Sequence, residues 1–189
     1  PSDLFHKTSL YTGATVAWTA KSWSQVKGAN ETLRCATVGF RSRGGAHISF
    51  ITGMQKREQG VKLTALCDVD QKVLDAGAAK HKVKGYQDIR EMLEKEKPDI
   101  VSICTTARVR HQILIDVARS SARAIWAEKP IAISLREADE MVDVCDELGI
   151  KVAVNTARRY NPYFANPRRM VDGGVLGRIL HVHTHPQRG

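Results

Sequence analysis

The sequence lacks the features that mark membrane proteins, zinc proteins and disulfide-rich secreted domains. None of its apolar runs is long enough to cross a bilayer as a helix, so we expect no membrane partner. The four cysteines include no C-x-x-C pair, and Cys35, Cys67 and Cys104 fall in predicted strands, where a thiol packs as a small apolar side chain. The remainder, 42% apolar and 26% charged residues in a chain of 189, is typical of one globular domain and part of another.

Acidic residues are scarce near the end of the chain. Residues 151–189 contain seven lysines and arginines against the single Asp172, a net charge of +6 out of +9 for the whole sequence. Such a surface fits a nucleic acid or, alternatively, an anionic cofactor, substrate or acidic partner. No nucleic-acid-binding motif accompanies the charge, so we favour the second interpretation and predict no nucleic-acid partner.

Residues 1–33 differ from the rest of the chain and are predicted to be an arm followed by a polar linker. Residues 7–20 are mildly apolar and contain no acidic residue, which is typical of the hydrophobic part of a bacterial export signal. Ser2 and Asp3 stand where a twin-arginine pair would be. Two interpretations therefore stay open: export to the bacterial periplasm, or a disordered arm on a cytoplasmic protein.

From residue 34 the chain alternates between strand and helix patterns. Strands are predicted at 34–38, 61–67, 100–104, 124–126 and 151–154, and helices at 47–57, 71–81, 87–94, 111–120 and from the Ser134–Glu137 capping box to Gly149. This alternation predicts an α/β fold with a doubly wound parallel sheet over 34–157. A helix at 166–172 and a strand at 179–183 are predicted to begin a second α/β domain over 158–189.

A glycine-rich loop, Gly39-Phe-Arg-Ser-Arg-Gly44, follows the first predicted strand. In a dinucleotide-binding loop the first glycine allows a tight turn, the second admits the pyrophosphate, and the third lets helix and strand pack closely. Gly39 and Gly44 fit the first and third positions, whereas Arg41 replaces the second. Arg41 and Arg43, with Ser42 between them, are predicted to bind the phosphates together with the helix N-terminus.

Asp68 ends the second predicted strand, where a carboxylate accepts hydrogen bonds from the ribose hydroxyls of NAD and repels the 2′-phosphate of NADP. Asp70 follows closely, and we interpret it as a candidate cap of the next helix. Because arginines flank the loop, NAD is the preferred cofactor and NADP stays possible.

Further candidates follow the later strands. Thr105 and Thr106 come after the strand at 100–104, and His111 is interpreted either as part of the nicotinamide pocket or as a surface residue of the next helix. The triplet Glu128-Lys129-Pro130 follows the strand at 124–126. Lys129 at this position can orient a substrate hydroxyl or take part in acid–base chemistry, with Glu128 positioning it or contacting the nicotinamide side. The alternative is a surface ion pair between the two side chains.

Three alternating histidines, His181, His183 and His185, would lie on one face of the strand predicted at 179–183. No cysteine or carboxylate stands beside them in the sequence, so we predict no metal site.

Taken in order, these motifs resemble those of the Gfo/Idh/MocA family, the glucose–fructose oxidoreductase and inositol dehydrogenase group. The resemblance covers roughly residues 33–185 and includes the glycine loop, Asp68, Thr105, the Glu128–Pro130 triplet, and Asn155 followed by an Arg-Arg-Tyr sequence. It implies a Rossmann domain followed by a second, open-sheet α/β domain. Arg41 and Ser42 depart from the family, which has glycine or another small residue there.

The resemblance also implies an activity: NAD(P)-dependent hydride transfer to or from a hydroxyl carbon of a sugar or inositol. Lys129 would touch the substrate, Asn155 the cofactor, and Arg159 and Tyr160 the substrate. Alternatives are the NAD-dependent glycosidases of the same family or a non-catalytic nucleotide-binding remnant. The second domain would be present only in part, so we expect weak or no turnover from this chain, and a homo-oligomer only if that domain were complete.

Overall fold

The computed structural model describes residues 32–183, which contain one six-stranded parallel sheet with the strand order β3-β2-β1-β4-β5-β6. Strands β1 to β6 span Leu33–Val38, Val61–Cys67, Lys84–Tyr86, Ile100–Ile103, Ala124–Ala127 and Lys151–Val154. Helices α1 to α6 span Arg43–Lys56, Gln71–His81, Ile89–Glu96, Ala107–Ala118, Leu135–Glu147 and Pro162–Asp172. A short 3-10 helix at Ala157–Tyr160 separates β6 from α6. The predicted α/β fold with a doubly wound parallel sheet is confirmed.

The register brings the carboxyl ends of five strands to one edge of the sheet. Val38 of β1 pairs with Cys67 of β2 and with Ile103 of β4. On the other side of β4, Ile103 pairs with Ala127 of β5, which pairs with Val154 of β6. The residues that follow these strand ends are therefore neighbours in space; they are Gly39, Asp68, Cys104, Glu128 and Asn155.

Apolar side chains cover the sheet on both faces, as a parallel sheet requires. On one face α1 and α2 contribute Ile48, Ile51 and Leu74 to a cluster with strand residues such as Leu66. On the other face α3, α4 and α5 pack against the strands through a second set of buried side chains: Met92, Leu93, Leu114, Val117, Ala118, Met141 and Cys145.

Most of the predicted elements agree with the structure, and the differences have local causes. Helix α1 begins at Arg43, four residues before the predicted start, because its first turn consists of the Arg-Gly-Gly sequence that resembles a loop. Helix α4 likewise begins at Ala107 and not at His111. Strand β3 was not predicted, since three residues with a central glycine give no alternating pattern.

The strand predicted at 179–183 is wrong: these residues have no regular structure. A strand needs a neighbour to satisfy its backbone groups, and within residues 32–183 this segment pairs with no strand of the sheet. Helix α6 is longer than predicted, because Asn161 caps it through Tyr163 N and Pro162 occupies its first turn. The division at 157 and the second domain stay predictions, and nearly all of the predicted arm (residues 1–31) lies outside the described residues. No helix within 32–183 has the length and apolar content needed to span a membrane.

Candidate cofactor and active site at the carboxyl edge of the sheet

The glycine loop closes tightly over the end of β4. Gly39 has φ +72°, and a Cβ atom there would lie 2.7 Å from Thr105 Cγ2 and 3.0 Å from Thr105 N. A Cβ atom at Gly44 would lie 2.5 Å from Gly39 O and 2.8 Å from Phe40 Cβ. The structure therefore requires glycine at both positions, for the turn and for close packing of α1 against the strands.

The N-terminus of α1 follows directly from the loop, and the N–H group of Gly45 in its first turn donates to Ser42 O at 3.1 Å. Its N-cap, Ser42, makes no side-chain hydrogen bond to the first turn, and the first turn contains no acidic residue. The first N–H groups of a helix carry a partial positive charge, so this end of α1 is suited to a phosphate. Arg41, at the position of the missing second glycine, turns its exposed side chain to Asp70 and so leaves the loop open.

Asp68 holds the loop to the end of β2. Its two carboxylate oxygens accept hydrogen bonds from Phe40 N and Asp70 N, each at 3.0 Å. Both oxygens keep free lone pairs, and the side chain lies beside the loop where a ribose would approach. Asp70 accepts hydrogen bonds from Lys72 N and Val73 N, so its prediction as a helix cap is confirmed.

Glu128 is the centre of a buried polar cluster at the end of β5. Its Oε1 atom accepts a hydrogen bond from Asn155 Nδ2 at 2.6 Å and one from Arg43 Nε at 3.3 Å. His47 Nε2 lies 3.0 Å from the same oxygen. The Oε2 atom accepts a hydrogen bond from Lys129 N at 3.2 Å. Residues of α1 and the residue after β6 thus contact the carboxylate of Glu128, a residue that is 3% exposed.

His47 was not among the predicted site residues. It lies one turn into α1, is 1% exposed, and stacks on Trp126 with ring centroids 3.6 Å apart. Its Nδ1 atom lies 2.7 Å from Ser102 Oγ, and that oxygen lies 3.5 Å from Cys104 Sγ. The only sequence signal is its position three residues after Gly44, where the buried face of α1 meets the sheet.

The pKa values of His47 and Glu128 are both lowered, for opposite reasons. Burial lowers the pKa of His47 below 6.5, although Glu128 acts to raise it. Burial alone would raise the pKa of Glu128, but the donors around it outweigh that effect and lower its pKa below 4.5; they are Asn155, His47, Arg43 and the Lys129 amide. A neutral histidine beside an ionised carboxylate results.

Lys129 follows Glu128 at the carboxyl end of β5. Its side chain is exposed, and its ammonium group makes no hydrogen bond or ion pair with the described part of the chain. The predicted alternative, a Glu128–Lys129 surface ion pair, is therefore wrong: Glu128 is buried and contacts only the backbone amide of Lys129. The peptide bond from Lys129 to Pro130 is cis.

Arg110 links the loops that follow β4 and β5. It is 2% exposed, and its guanidinium donates hydrogen bonds to Thr105 O and Pro130 O. Burial lowers its pKa, which Cys104 and Glu128 act to raise. Arg110 therefore connects Pro130, which follows Lys129, with Thr105, which contacts the Gly39 turn.

The remaining predicted residues lie at varying distances from the cluster. Thr106 is the exposed N-cap of α4, and Thr105 packs its methyl group against the Gly39 turn. His111 lies on α4 with its Nε2 atom 3.0 Å from Glu140 Oε2 of α5, so it contacts a helix and not the Glu128 cluster. Arg159 is exposed and, like Tyr160, belongs to the 3-10 helix after β6.

Other features lie outside this edge. Within residues 32–183 no group of three or more His, Cys, Asp or Glu side chains is arranged for a metal ion, and His185 is beyond that range. All four cysteines are free thiols. A groove of about 1070 Å³ lies by the opposite ends of β1 to β3 and is lined by Arg34 and by lysines 56, 62, 80, 82 and 84. It has no predicted site residue.

The edge as a whole offers the groups that a dinucleotide needs. A glycine turn, an uncapped helix N-terminus and a carboxylate at the end of β2 suit pyrophosphate and ribose. The exposed Lys129 follows β5, two strands from β1 and its glycine loop, on a segment that Arg110 holds in place. The residues present therefore fit a nicotinamide dinucleotide, which supplies a hydride acceptor or donor when bound.

Comparison with known proteins agrees with this geometry. The family described as "Oxidoreductase family, NAD-binding Rossmann fold" matches residues 33–156. D-apiose dehydrogenase of Paraburkholderia graminis is 33% identical over 119 residues, which cover 62% of this chain and 32% of that protein. Inositol 2-dehydrogenase/D-chiro-inositol 3-dehydrogenase of Lactiplantibacillus plantarum is 26% identical over 148 residues, covering 76% and 41%.

Among solved structures, the WlbA dehydrogenase of Bordetella pertussis in complex with NADH and UDP-GlcNAcA superposes with a TM-score of 0.73 at 24% identity, over 78% of this chain and 45% of that one. The chain thus spans less than half the length of these relatives. The match over residues 33–156 covers all six strands and helices α1 to α5. The chain belongs to the Gfo/Idh/MocA oxidoreductases and carries the NAD-binding Rossmann fold of that family.

Proposed function

We propose that this domain binds NAD at the carboxyl edge of the sheet and supports hydride transfer between nicotinamide and a hydroxyl carbon of a sugar or inositol. The main observation is the convergence of the glycine loop, Asp68 and the Glu128–Lys129 segment on one edge. Relatives named for apiose and inositols support a polyhydroxylated substrate. NAD is preferred over NADP because Asp68 bears a negative charge, while Arg41 is paired with Asp70.

The residues have distinct parts in this proposal. Gly39, Gly44 and the first turn of α1, with Ser42 and Arg43, hold the pyrophosphate, and Asp68 accepts hydrogen bonds from the ribose. Thr105, Thr106 and Asn155 border the cofactor. Lys129 donates a hydrogen bond to the substrate oxygen and stabilises the negative charge that develops there. The hydroxyl proton passes to solvent water, and the carbon transfers its hydride to C4 of the nicotinamide of NAD⁺. His111, Arg159 and Tyr160 stay predicted substrate contacts.

A spectrophotometric assay tests the reaction. The chain is mixed with NAD⁺ and a panel of aldoses and inositols, and formation of NADH is followed. Because the chain spans less than half the length of its relatives, we expect weak turnover at most, and Lys129→Ala should reduce the wild-type rate by about 10²- to 10⁴-fold. Lys80→Ala, at the opposite edge of the sheet, is the control and should not change it. An equal rate for Lys129→Ala and wild type would contradict the proposed role of Lys129.

The glycosidase and the non-catalytic remnant stay alternatives. A glycosidase would release free sugar from a glycoside without net formation of NADH, which the same assay, combined with product analysis, distinguishes. A remnant would bind no cofactor, or would bind it with no turnover in any member of the panel.

A further inference from the structure

We propose that His47 is a positioning residue that holds Glu128 and, through it, the backbone of Lys129. The inference rests on the proposed function, since it assigns to the reaction a residue of the cofactor helix. His47 lies on α1, whose first turn borders the glycine loop, and it contacts the carboxylate that precedes the proposed catalytic lysine.

The orientation of the His47 ring is fixed on three sides. Its face lies on Trp126, with an interplanar angle of 14°. Its two nitrogens lie 2.7 Å from Ser102 Oγ and 3.0 Å from Glu128 Oε1. A ring that is 1% exposed has no room to rotate away from these partners.

The neighbours also determine which nitrogen bears the proton. An ionised Glu128 only accepts hydrogen bonds, so His47 Nε2 must donate to it. Asn155 Nδ2 lies 3.2 Å from Nε2 but 2.6 Å from Glu128 Oε1, and it therefore donates to the carboxylate. Nδ1 of the neutral ring is then an acceptor for the Ser102 hydroxyl, and Cys104 is left to donate its thiol proton to Ser102 Oγ.

The hydrogen-bond chain from His47 through Glu128 ends at the backbone amide of Lys129. With Oε1 of Glu128 held by His47 and Asn155, the Oε2 atom points at Lys129 N and accepts its proton at 3.2 Å. Without His47, Oε1 would keep Asn155 and Arg43, whose side chain is 60% exposed and less confined. The carboxylate would then rotate more freely, and the Lys129 amide would lose its fixed acceptor.

Two substitutions separate this role from simple packing. His47→Gln places an amide N–H near the position of Nε2 and keeps a donor for Glu128. His47→Asn reaches only the position of Nδ1, keeps a partner for Ser102 and loses that donor. Both variants remove the ring that stacks on Trp126 and differ from each other by one methylene, so a packing role alone predicts similar effects on the Lys129 amide.

The test measures hydrogen exchange of the Lys129 amide by NMR in the free protein. We expect exchange close to wild type in His47→Gln and about tenfold faster in His47→Asn, as for loss of one hydrogen bond. In wild type, the ¹⁵N signals of His47 should show a neutral ring protonated at Nε2. Equal exchange in the two variants, or a proton on Nδ1, would overturn the proposal.

These measurements need no cofactor, so they remain decisive if the proposed function fails. If wild type binds no NAD⁺ while the amide exchange differs as expected, the positioning role holds and the cofactor assignment is wrong. If wild type turns over substrate, His47→Asn should lower kcat more than it raises KM, and His47→Gln should restore kcat.

Discussion

Asn155 donates a 2.6 Å hydrogen bond to Glu128, although 27 residues separate them in sequence. The contact exists because β5 and β6 end side by side, with Ala127 paired to Val154. The residue after each strand is therefore presented at the same edge. One buried carboxylate thus ties the last strand of the sheet to the segment that bears Lys129.

The first prediction concerns this contact. Asn155→Asp places a second carboxylate against Glu128, so we expect the free energy of unfolding at neutral pH to fall by about 2 kcal/mol or more. The loss should shrink at acidic pH, where one carboxyl is protonated. Chemical denaturation at both pH values measures it. Asn161→Asp, at the N-cap of α6, is the matched control and should be neutral, because aspartate caps a helix as well as asparagine does.

The second prediction is a pH dependence of stability that arises from His47. Its folded-state pKa lies below the unfolded value of 6.5, because burial disfavours the charged ring. The unfolded chain therefore binds more protons as pH falls below 6.5, and the folded state loses stability by up to about 1.4 kcal/mol per pH unit from this group.

Denaturation between neutral pH and pH values below 6.5 measures that loss, with His47→Gln for comparison. The pKa of His81 is also lowered, first by burial and then by Lys80. Both proteins therefore keep the pH dependence of stability that arises from His81. We expect stability to depend less steeply on pH in His47→Gln than in wild type. Parallel curves for the two proteins would mean that the pKa of His47 is not lowered in the folded state.

The third prediction separates crowding from backbone strain at glycine. Gly39 and Gly60 both have positive φ, +72° and +66°, but a Cβ atom meets Thr105 at the first and nothing within 4 Å at the second. Gly60→Ala should cost about 1 kcal/mol for the left-handed conformation alone. Gly39→Ala should cost clearly more, about 2–4 kcal/mol, because the turn must also move away from Thr105. Equal losses in thermal unfolding would contradict the close packing of this loop.

The fourth prediction tests the link made by Arg110. Arg110→Met keeps the length and helix propensity of the side chain but removes the donors to Thr105 O and Pro130 O. We expect a loss of about 1–3 kcal/mol in the free energy of unfolding, since two carbonyl oxygens lose their partners. Arg108→Met, exposed on the same helix, should change stability by less than about 0.5 kcal/mol. Similar effects of both substitutions would show that the link contributes nothing.

The sequence was sufficient to predict the fold and the neighbouring strand ends that form the candidate site, because strand ends and glycine loops are local patterns. The Glu128–Pro130 triplet and Asp68 were predicted from their positions after strands. His47 and Arg110 were missed, since their importance depends on partners that only the sheet register brings near; Ser102 and Glu128 are 55 and 81 residues from His47.

Two other differences have the same origin. Arg41 pairs with Asp70, 29 residues along the chain, which no local pattern reveals, and its phosphate contact stays a prediction. The apolar alternation at 179–183 predicted a strand, but a pattern cannot show whether a partner strand is present.

Isothermal titration of the chain with NAD⁺ and with NADP⁺ tests the central claim most directly. The comparison variant is Asp68→Asn, because asparagine keeps one oxygen that can accept a hydrogen bond from Phe40 N. The thermal stability of this variant shows whether it is folded. We predict that wild type binds NAD⁺ more tightly than NADP⁺. Asp68→Asn should remain folded, bind NAD⁺ more weakly, and show a smaller difference between its affinities for NAD⁺ and NADP⁺. Failure of folded wild-type protein to bind either dinucleotide would contradict the claim that this edge of the sheet is a cofactor site.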